Sequence, residues 1–432
     1  MLETMRNAWK IEELRKKIIF TLFIVLLYRI GNAIPVPYVD IDALSTYFTQ
    51  LENTVLGLYN VMSGGAFSTA TIFALSIQPY INASIIMQLL TIAIPALERL
   101  QKDGGEEGRK KIASITRYAT VGIGLLQGFA YYMLMRNNHL IMSGTGVWEA
   151  IVIVLTFTAG SALIMWLGEQ ITEFGIGNGI SIILFASIVS RFPNSIITMV
   201  TNVSAGSISW WGAALMLLGA LAIIVLIVIV TNAERRIPVQ YSKRVVGRKM
   251  YGGQSTHLPM KVNMSGVMPV IFAQSIASLP ATILMLCGIN EKSEGFWGGF
   301  LRVFNSTSVL YAFIYLLLII FFAYFYSTIQ FNPVEIANNL KKNGGFIPGF
   351  RPGKPTSEYI QKSLNKITLF GAIYLAIIAV TPIIIGICSE SAANSGISLG
   401  GTSIIIVVGV ALETIKALEA QLLMRNYKGF LE

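Results

Sequence analysis

Few side chains in these 432 residues are equipped for covalent or metal chemistry. The two histidines, His139 and His257, fall in connections on opposite sides of apolar runs and cannot pair. The zinc-protease pattern HExxH is absent. Cys287 and Cys388 each end an apolar run and read as small apolar residues, with no disulfide required. Gly175-Ile176-Gly177-Asn178-Gly179 is glycine-rich, yet it lies between two apolar helices rather than in a strand-helix-strand unit, so it reads as a tight turn. Gly349-Phe350-Arg351-Pro352-Gly353-Lys354-Pro355-Thr356 resembles a phosphate-binding loop only faintly. Three residues separate its glycines instead of four, and Pro355 stands where a hydroxyl would hold Mg²⁺. Arg29, Glu169, Glu335 and Glu413 sit near the ends of apolar runs, not at the mid-depth where proton and ion pathways keep their charges. The sequence therefore predicts no catalytic residue, no metal site, no cofactor and no ATP engine of its own.

The remaining candidates for function are amides, prolines and basic loops, and their meaning depends on the elements that carry them. Only 12% of residues are charged, about half the usual ~25% of soluble chains, while 54% are apolar and mean hydropathy is +0.65. Such a chain can neither solvate a water-soluble body of this size nor remain disordered. At about 20 residues per membrane helix, ten helical spans are predicted, near 18–34, 70–94, 118–135, 148–167, 177–192, 210–231, 265–287, 309–330, 367–387 and 399–418. The first run lacks a small-residue cleavage site and is expected to be retained. Of the 32 basic residues, 27 fall in the two termini and in alternate connections, chiefly those after the second, sixth and eighth spans. Loops enriched in Lys and Arg are the cytoplasmic ones. Both termini are thus expected in the cytoplasm, which requires an even span number.

Pro79 in the second span, Pro269 and Pro280 in the seventh and Pro382 in the ninth are expected to kink their helices. Gln78, Asn82 and Gln88 in the second span, Gln127 in the third and Gln274 in the seventh should face protein or water rather than lipid. They serve either to hold helices together or to line a wet seam. Residues 54–69 are too short and too broken by Gly and Ser to span, yet too apolar for a free loop. A re-entrant segment buried in protein satisfies both conditions, and a short helix packed on the outside is the plainer alternative. The connections 232–262 and 331–366 are long and basic, and they interleave charge with Gly, Pro and aromatic residues. Orientation alone explains much of the charge; the length and turn residues suggest a docking surface for an acidic or RNA-rich partner.

Within these loops, Gln254-Ser255-Thr256-His257-Leu258-Pro259-Met260-Lys261-Val262-Asn263 and Asn338-Asn339-Leu340-Lys341-Lys342-Asn343-Gly344-Gly345-Phe346-Ile347-Pro348-Gly349 resemble signature stretches of the SecY family of protein-translocation channels. Phe73-Ala74-Leu75-Ser76-Ile77-Gln78-Pro79-Tyr80-Ile81, Trp166-Leu167-Gly168-Glu169-Gln170-Ile171-Thr172 and Gly400-Gly401-Thr402-Ser403 extend the resemblance from about residue 15 to 430.

The resemblance implies an all-α membrane protein of ten transmembrane helices in two pseudo-symmetric five-helix halves, a clamshell with a re-entrant plug helix. The halves would be 1–195 and 210–432. It also implies a protein-conducting channel of the bacterial cytoplasmic membrane that passes unfolded secretory polypeptides and releases transmembrane segments sideways into the bilayer. Ile77, Ile81, Ile180, Leu184, Ile271 and Ile406 would form an apolar pore ring, which excludes ions by dewetting; without the resemblance they would read as ordinary core. Residues 54–69, with Leu58, Tyr59, Asn60, Met62, Ser63, Gly64 and Gly65, would be the plug. Asn82, Gln127 and Gln274 would seal the lateral gate. Arg248, Lys249, Arg351 and Lys354 would dock the SecA motor ATPase or the ribosome, Arg351 foremost, because a guanidinium forks onto carboxylate or phosphate. SecE, SecG, signal peptides and unfolded clients complete the implied partners. A secondary small-solute transporter of similar helix count is the alternative function.

Overall fold

The computed structural model describes residues 2–50, 55–142, 146–206, 209–241, 244–246, 249–251, 255–264, 266–286, 295–303, 308–388 and 401–428. Each of the ten predicted apolar runs is occupied by a helix: α2 (Glu12–Gly31), α5 (Gln78–Ala93), α7 (Gly105–Asn137), α8 (Val147–Phe174), α9 (Gly179–Val189), α11 (Trp210–Asn232), α12 (Met268–Leu286), α14 (Val309–Gln330), α16 (Lys354–Cys388) and α17 (Gly401–Lys428). Seven shorter helices join them: α1 (Leu2–Lys10), α3 (Ile41–Gln50), α4 (Val55–Met62), α6 (Pro95–Lys102), α10 (Phe192–Ser204), α13 (Phe296–Val303) and α15 (Pro333–Lys342).

Six stretches among the described residues are long and apolar enough to cross a membrane by themselves, and the pair α5–α6, bent by 104°, makes a seventh. The others fall short for reasons visible in their composition. Five charges crowd the first turns of α2; glycines and Gln127 dilute α7; the apolar part of α12 is short.

Helix starts follow local chemistry. Ser209 and Ser308 accept from backbone N–H groups of the first turns of α11 and α14, and Asn178 and Asn332 do so for α9 and α15. The glycine-rich segment before α9 is the tight turn its composition suggests: Gly177 adopts φ +69°, and the Thr172 hydroxyl accepts from Gly179 N–H at 2.9 Å.

Two of the four expected proline kinks are not kinks. Pro79 and Pro269 each occupy the second position of their helix, where a missing N–H costs nothing and the fixed φ is favourable. Pro280 and Pro382 are interior as expected. The start at Gln78 also shortens the second run. Residues 63–77, partly counted in that span, form a chain of turns, with Gly64, Gly65, Ala70 and Ser76 at positive φ. The hydrogen bonds Val36 N–H to Ala70 O and Ile72 N–H to Ile34 O pin this segment to the loop after α2. At the other boundary the fifth run is longer than expected. Helix α10 continues it to Ser204, since Pro193 again sits in a first turn. The intervening stretch near 195–209 is therefore mostly helix.

Helices α5, α7, α8 and α9 pack in succession, as do α12, α14, α16 and α17. The two sets meet where α9 touches α17 and where α5 and α7 touch α12. At that meeting lies the largest apolar cluster. A second cluster, around Phe67, Tyr131 and Phe157, packs α3 and the turns after α4 against α7 and α8.

The long basic loops contain strands that composition had not suggested. Strand β1 (Glu234–Tyr241) pairs antiparallel with β4 (Ser255–Lys261), Ile237 opposite Leu258, and with β5 (Gly345–Phe346) from the other loop. Strands β2 (Arg244–Val246) and β3 (Lys249–Tyr251) form a separate hairpin. The alternation in Glu234–Tyr241, with Ile237 and Val239 buried between exposed neighbours, was the readable signal.

Candidate functional site

Three groups of candidate residues converge on the meeting of the two helix sets. Ile77, Ile81, Leu184, Ile271 and Ile406 are all buried members of the central cluster, and half-buried Ile180 packs against it. They arrive from five places: the turn before α5, α5 itself, α9, α12 and α17. Met62, the last residue of α4, belongs to the same cluster. The re-entrant segment is thus a short helix whose end is inserted into the centre of the bundle. Thr54 lies outside the described residues, as does the side chain of Leu58.

The turns that follow α4 are tied down by polar atoms. Tyr28 Oη lies 3.3 Å from Ser63 O and 2.6 Å from Ser187 Oγ, and Asn32 Nδ2 donates to Ser63 O at 3.4 Å. Asn60 Oδ1 accepts from Ser68 N–H at 3.0 Å, the Ser63 hydroxyl accepts from Phe67 N–H at 3.0 Å, and the Tyr131 hydroxyl donates to Phe67 O. Gly64 sits against the Ser187 backbone, where a Cβ would come within 3.0 Å of Ser187 O and where φ is +69°. Gly65, also at positive φ, completes the reversal. Tyr59 faces Phe67 at 6.2 Å between ring centroids.

The amides divide. Gln78 and Gln274, both buried, point their Nε2 atoms at Met62 Sδ from 3.0 and 3.6 Å. Gln127 instead lines a cavity of about 40 Å³ with Leu56, Tyr59, Phe67, Leu75, Gln78, Tyr131 and Leu134, and its buried Oε1 has no partner among the described residues. Asn82 is buried on α5. Among the described residues, Asn82, Gln127 and Gln274, expected at the lateral gate, share no hydrogen bond with one another. Gln78 is the residue that joins Gln127 to Gln274, because it lines the cavity beside Gln127 and shares Met62 with Gln274. The sequence marked Gln78 as a polar residue in an apolar run but did not place it at the junction. Further along α5, Gln88 Nε2 donates to Ser84 Oγ within the same helix at 3.2 Å.

The other candidates form a platform. Strand β1 links the two basic loops, and Ile237, Val239, Met260, Leu340, Ile347, Ile360 and Leu364 give the platform its own core. Arg351 and Lys354 are exposed at its edge. Their loop is held by Thr356 Oγ1, which donates to Arg351 O at 2.8 Å, and by Phe350 packing on Tyr359 at 4.2 Å between centroids. With Gly349 and Gly353 both at positive φ, the stretch is a fixed turn leading into α16. Arg248 lies outside the described residues, and so does the side chain of Lys249.

The SecY family model matches residues 71–415. The protein translocase subunit SecY of Streptomyces scabiei is 44% identical over 444 aligned positions that cover all of both chains. Among solved structures, a protein-conducting channel superposes with a TM-score of 0.63 at 16% identity, over 94% of this chain and 92% of that one. A SecY channel whose plug domain stabilises the closed state and maintains a membrane seal gives the same TM-score and coverage at 18% identity. Sec61 from the canine ribosome–channel complex of the endoplasmic reticulum gives 0.60 at 15% identity, over 94% and 92%.

Proposed function

This chain belongs to the SecY family, and from that premise we propose how its parts divide the work of a protein-conducting channel. The chain is a multi-pass membrane protein and the channel subunit of a protein translocase. Residues 1–195 and 210–432 act as two halves that part to admit a polypeptide. Ile77, Ile81, Ile180, Leu184, Ile271 and Ile406 close around it. An apolar constriction repels ions by dewetting, and it offers no directional bonds to hold one client sequence. Residues 54–69 seal the resting pore, and α5, α7 and α12 form the lateral gate through which signal peptides and transmembrane segments reach the bilayer.

The observation that carries this reading is the burial of five of those apolar residues, together with Met62 of the re-entrant helix, in one cluster where the two helix sets meet. A core formed within one half would not recruit residues from both. The platform of β1, β4 and β5 is the docking face for the ribosome or for the SecA motor, which would supply the energy. SecE and SecG are the membrane partners, both termini are cytoplasmic, and the membrane is the bacterial cytoplasmic one. Deleting residues 54–69 and measuring the ion conductance of resting vesicles tests the seal. A large rise is expected, and an unchanged conductance overturns the assignment.

A further inference from the structure

Met62 presents a single sulfur to two amides from opposite sides of the bundle. Gln78 opens α5 in the N-terminal set, and Gln274 lies on α12 in the C-terminal set. Their Nε2 atoms stand 3.0 and 3.6 Å from Met62 Sδ, within reach for the large sulfur atom. All three residues are buried, with 5–7% of their surface exposed. A thioether can only accept, so each amide must turn its nitrogen inward. The other ends of the amides then point away from the sulfur: Gln78 Oε1 and Gln274 Oε1 are both buried and find no partner among the described residues. A buried orphan carbonyl is costly, and thioethers are weak acceptors. The arrangement thus holds α5 and α12 against the re-entrant helix through its weakest polar link while leaving two acceptors unfilled. Withdrawing Met62 would free the Gln78 and Gln274 amides to bond each other, or to take backbone N–H groups of an incoming chain.

The moorings are also lopsided. The Tyr28 and Tyr131 hydroxyls and the Asn32 amide, all from the N-terminal half, donate to the Ser63 and Phe67 carbonyls after Met62, and Ser187 bonds Tyr28 in turn. Gln274 reaches the segment from the C-terminal set through sulfur. The oxygen bonds are the stronger kind, so separation of the halves would part the segment from Gln274 first.

We propose that the Met62 thioether is a shared latch, a positioning residue that ties plug release to gate opening by accepting from Gln78 and Gln274 together. The proposal rests on the channel reading above. Its test uses the full-length chain with its membrane partners in vesicles, without client. Gate closure is read as the disulfide yield of a cysteine pair placed across α5 and α12, and leak as resting ion conductance. Met62→Leu keeps the volume and removes the acceptor, and should shift the closed-to-open ratio about tenfold toward open. Met62→Gln restores an acceptor and should return both readouts to near wild type. In a chain already carrying Gln78→Leu and Gln274→Leu, adding Met62→Leu should change them less than about twofold, because the donors are gone. The latch is overturned if Met62→Leu has the same effect in both backgrounds, if Met62→Gln leaks as Met62→Leu does, or if Met62→Leu matches wild type. Failure of wild-type vesicles to import a precursor would instead refute the channel reading, while the crosslink cycle would still score the latch.

Discussion

The centre of the helix bundle and the platform built from the two basic loops both bury branched apolar residues, but they hold them by different means. At the centre, Ile77, Ile81, Leu184, Ile271 and Ile406 come from both helix sets, and the polar links between α5, α12 and the re-entrant segment run through side chains. On the platform, a backbone ladder fixes Ile237 and Val239 over Met260, Leu340 and Ile347, joining segments about a hundred residues apart. Side-chain contacts can part and reform without disturbing any helix, whereas a strand ladder parts only by local unfolding. The centre is thus the part that can separate with its helices intact, and the platform, continuous with α11 and α16, is the part that stays whole.

Variants that act on one region and spare the other break or sharpen this comparison. Arg351→Glu should lower motor-driven export in vesicles by more than about tenfold, since it replaces a fixed guanidinium fork with a like charge for an acidic partner. Its resting ion conductance should stay at the wild-type level; a leak would mean that the platform also sets the seal. Polar substitution at the centre, Ile81→Asn with Ile406→Asn, should do the reverse, raising resting conductance several-fold by wetting the constriction while motor binding is retained. Ile237→Ala should destabilise the platform by about 2–4 kcal/mol. Limited proteolysis should then cut the loops sooner, with the gate crosslink yield unchanged. The smallest effect belongs to Lys354→Ala. An exposed ammonium contributes about 0–1 kcal/mol in salt, so export should fall less than about threefold; a loss equal to that of Arg351→Glu would show that net charge, not the guanidinium, governs docking.

Most of the helices in the ten apolar runs were legible because a run of about 20 apolar residues has few other options; α2, α7 and α12 are apolar over only part of their length. The tight turn at Gly175–Gly179 was legible because its glycines lie between two such runs. The prolines were harder. Pro79 reads as a kink only if the helix has already begun, and its start at Gln78 depends on the turns of 63–77 being pinned to the loop after α2. The strands escaped because Glu234–Tyr241 is strongly charged, its partner β4 follows only after the β2–β3 hairpin and its other partner β5 lies in another loop, so its alternation carries the local trace. Met62 could be placed in the buried segment, but no periodicity reveals that its sulfur faces Gln78 and Gln274.

The sequence by itself determined what must be buried and what must stay wet. Apolar runs set the helices, the crowding of 27 of 32 basic residues into alternate connections and the termini set the expected sidedness, and the family motifs set the kinship. These are properties of composition and near neighbours along the chain. The tertiary structure decided which amide shares which acceptor, that two distant loops make one sheet, and that apolar residues from both halves meet at one place. Each of these joins residues far apart in sequence, where geometry, rather than residue type, selects the partner.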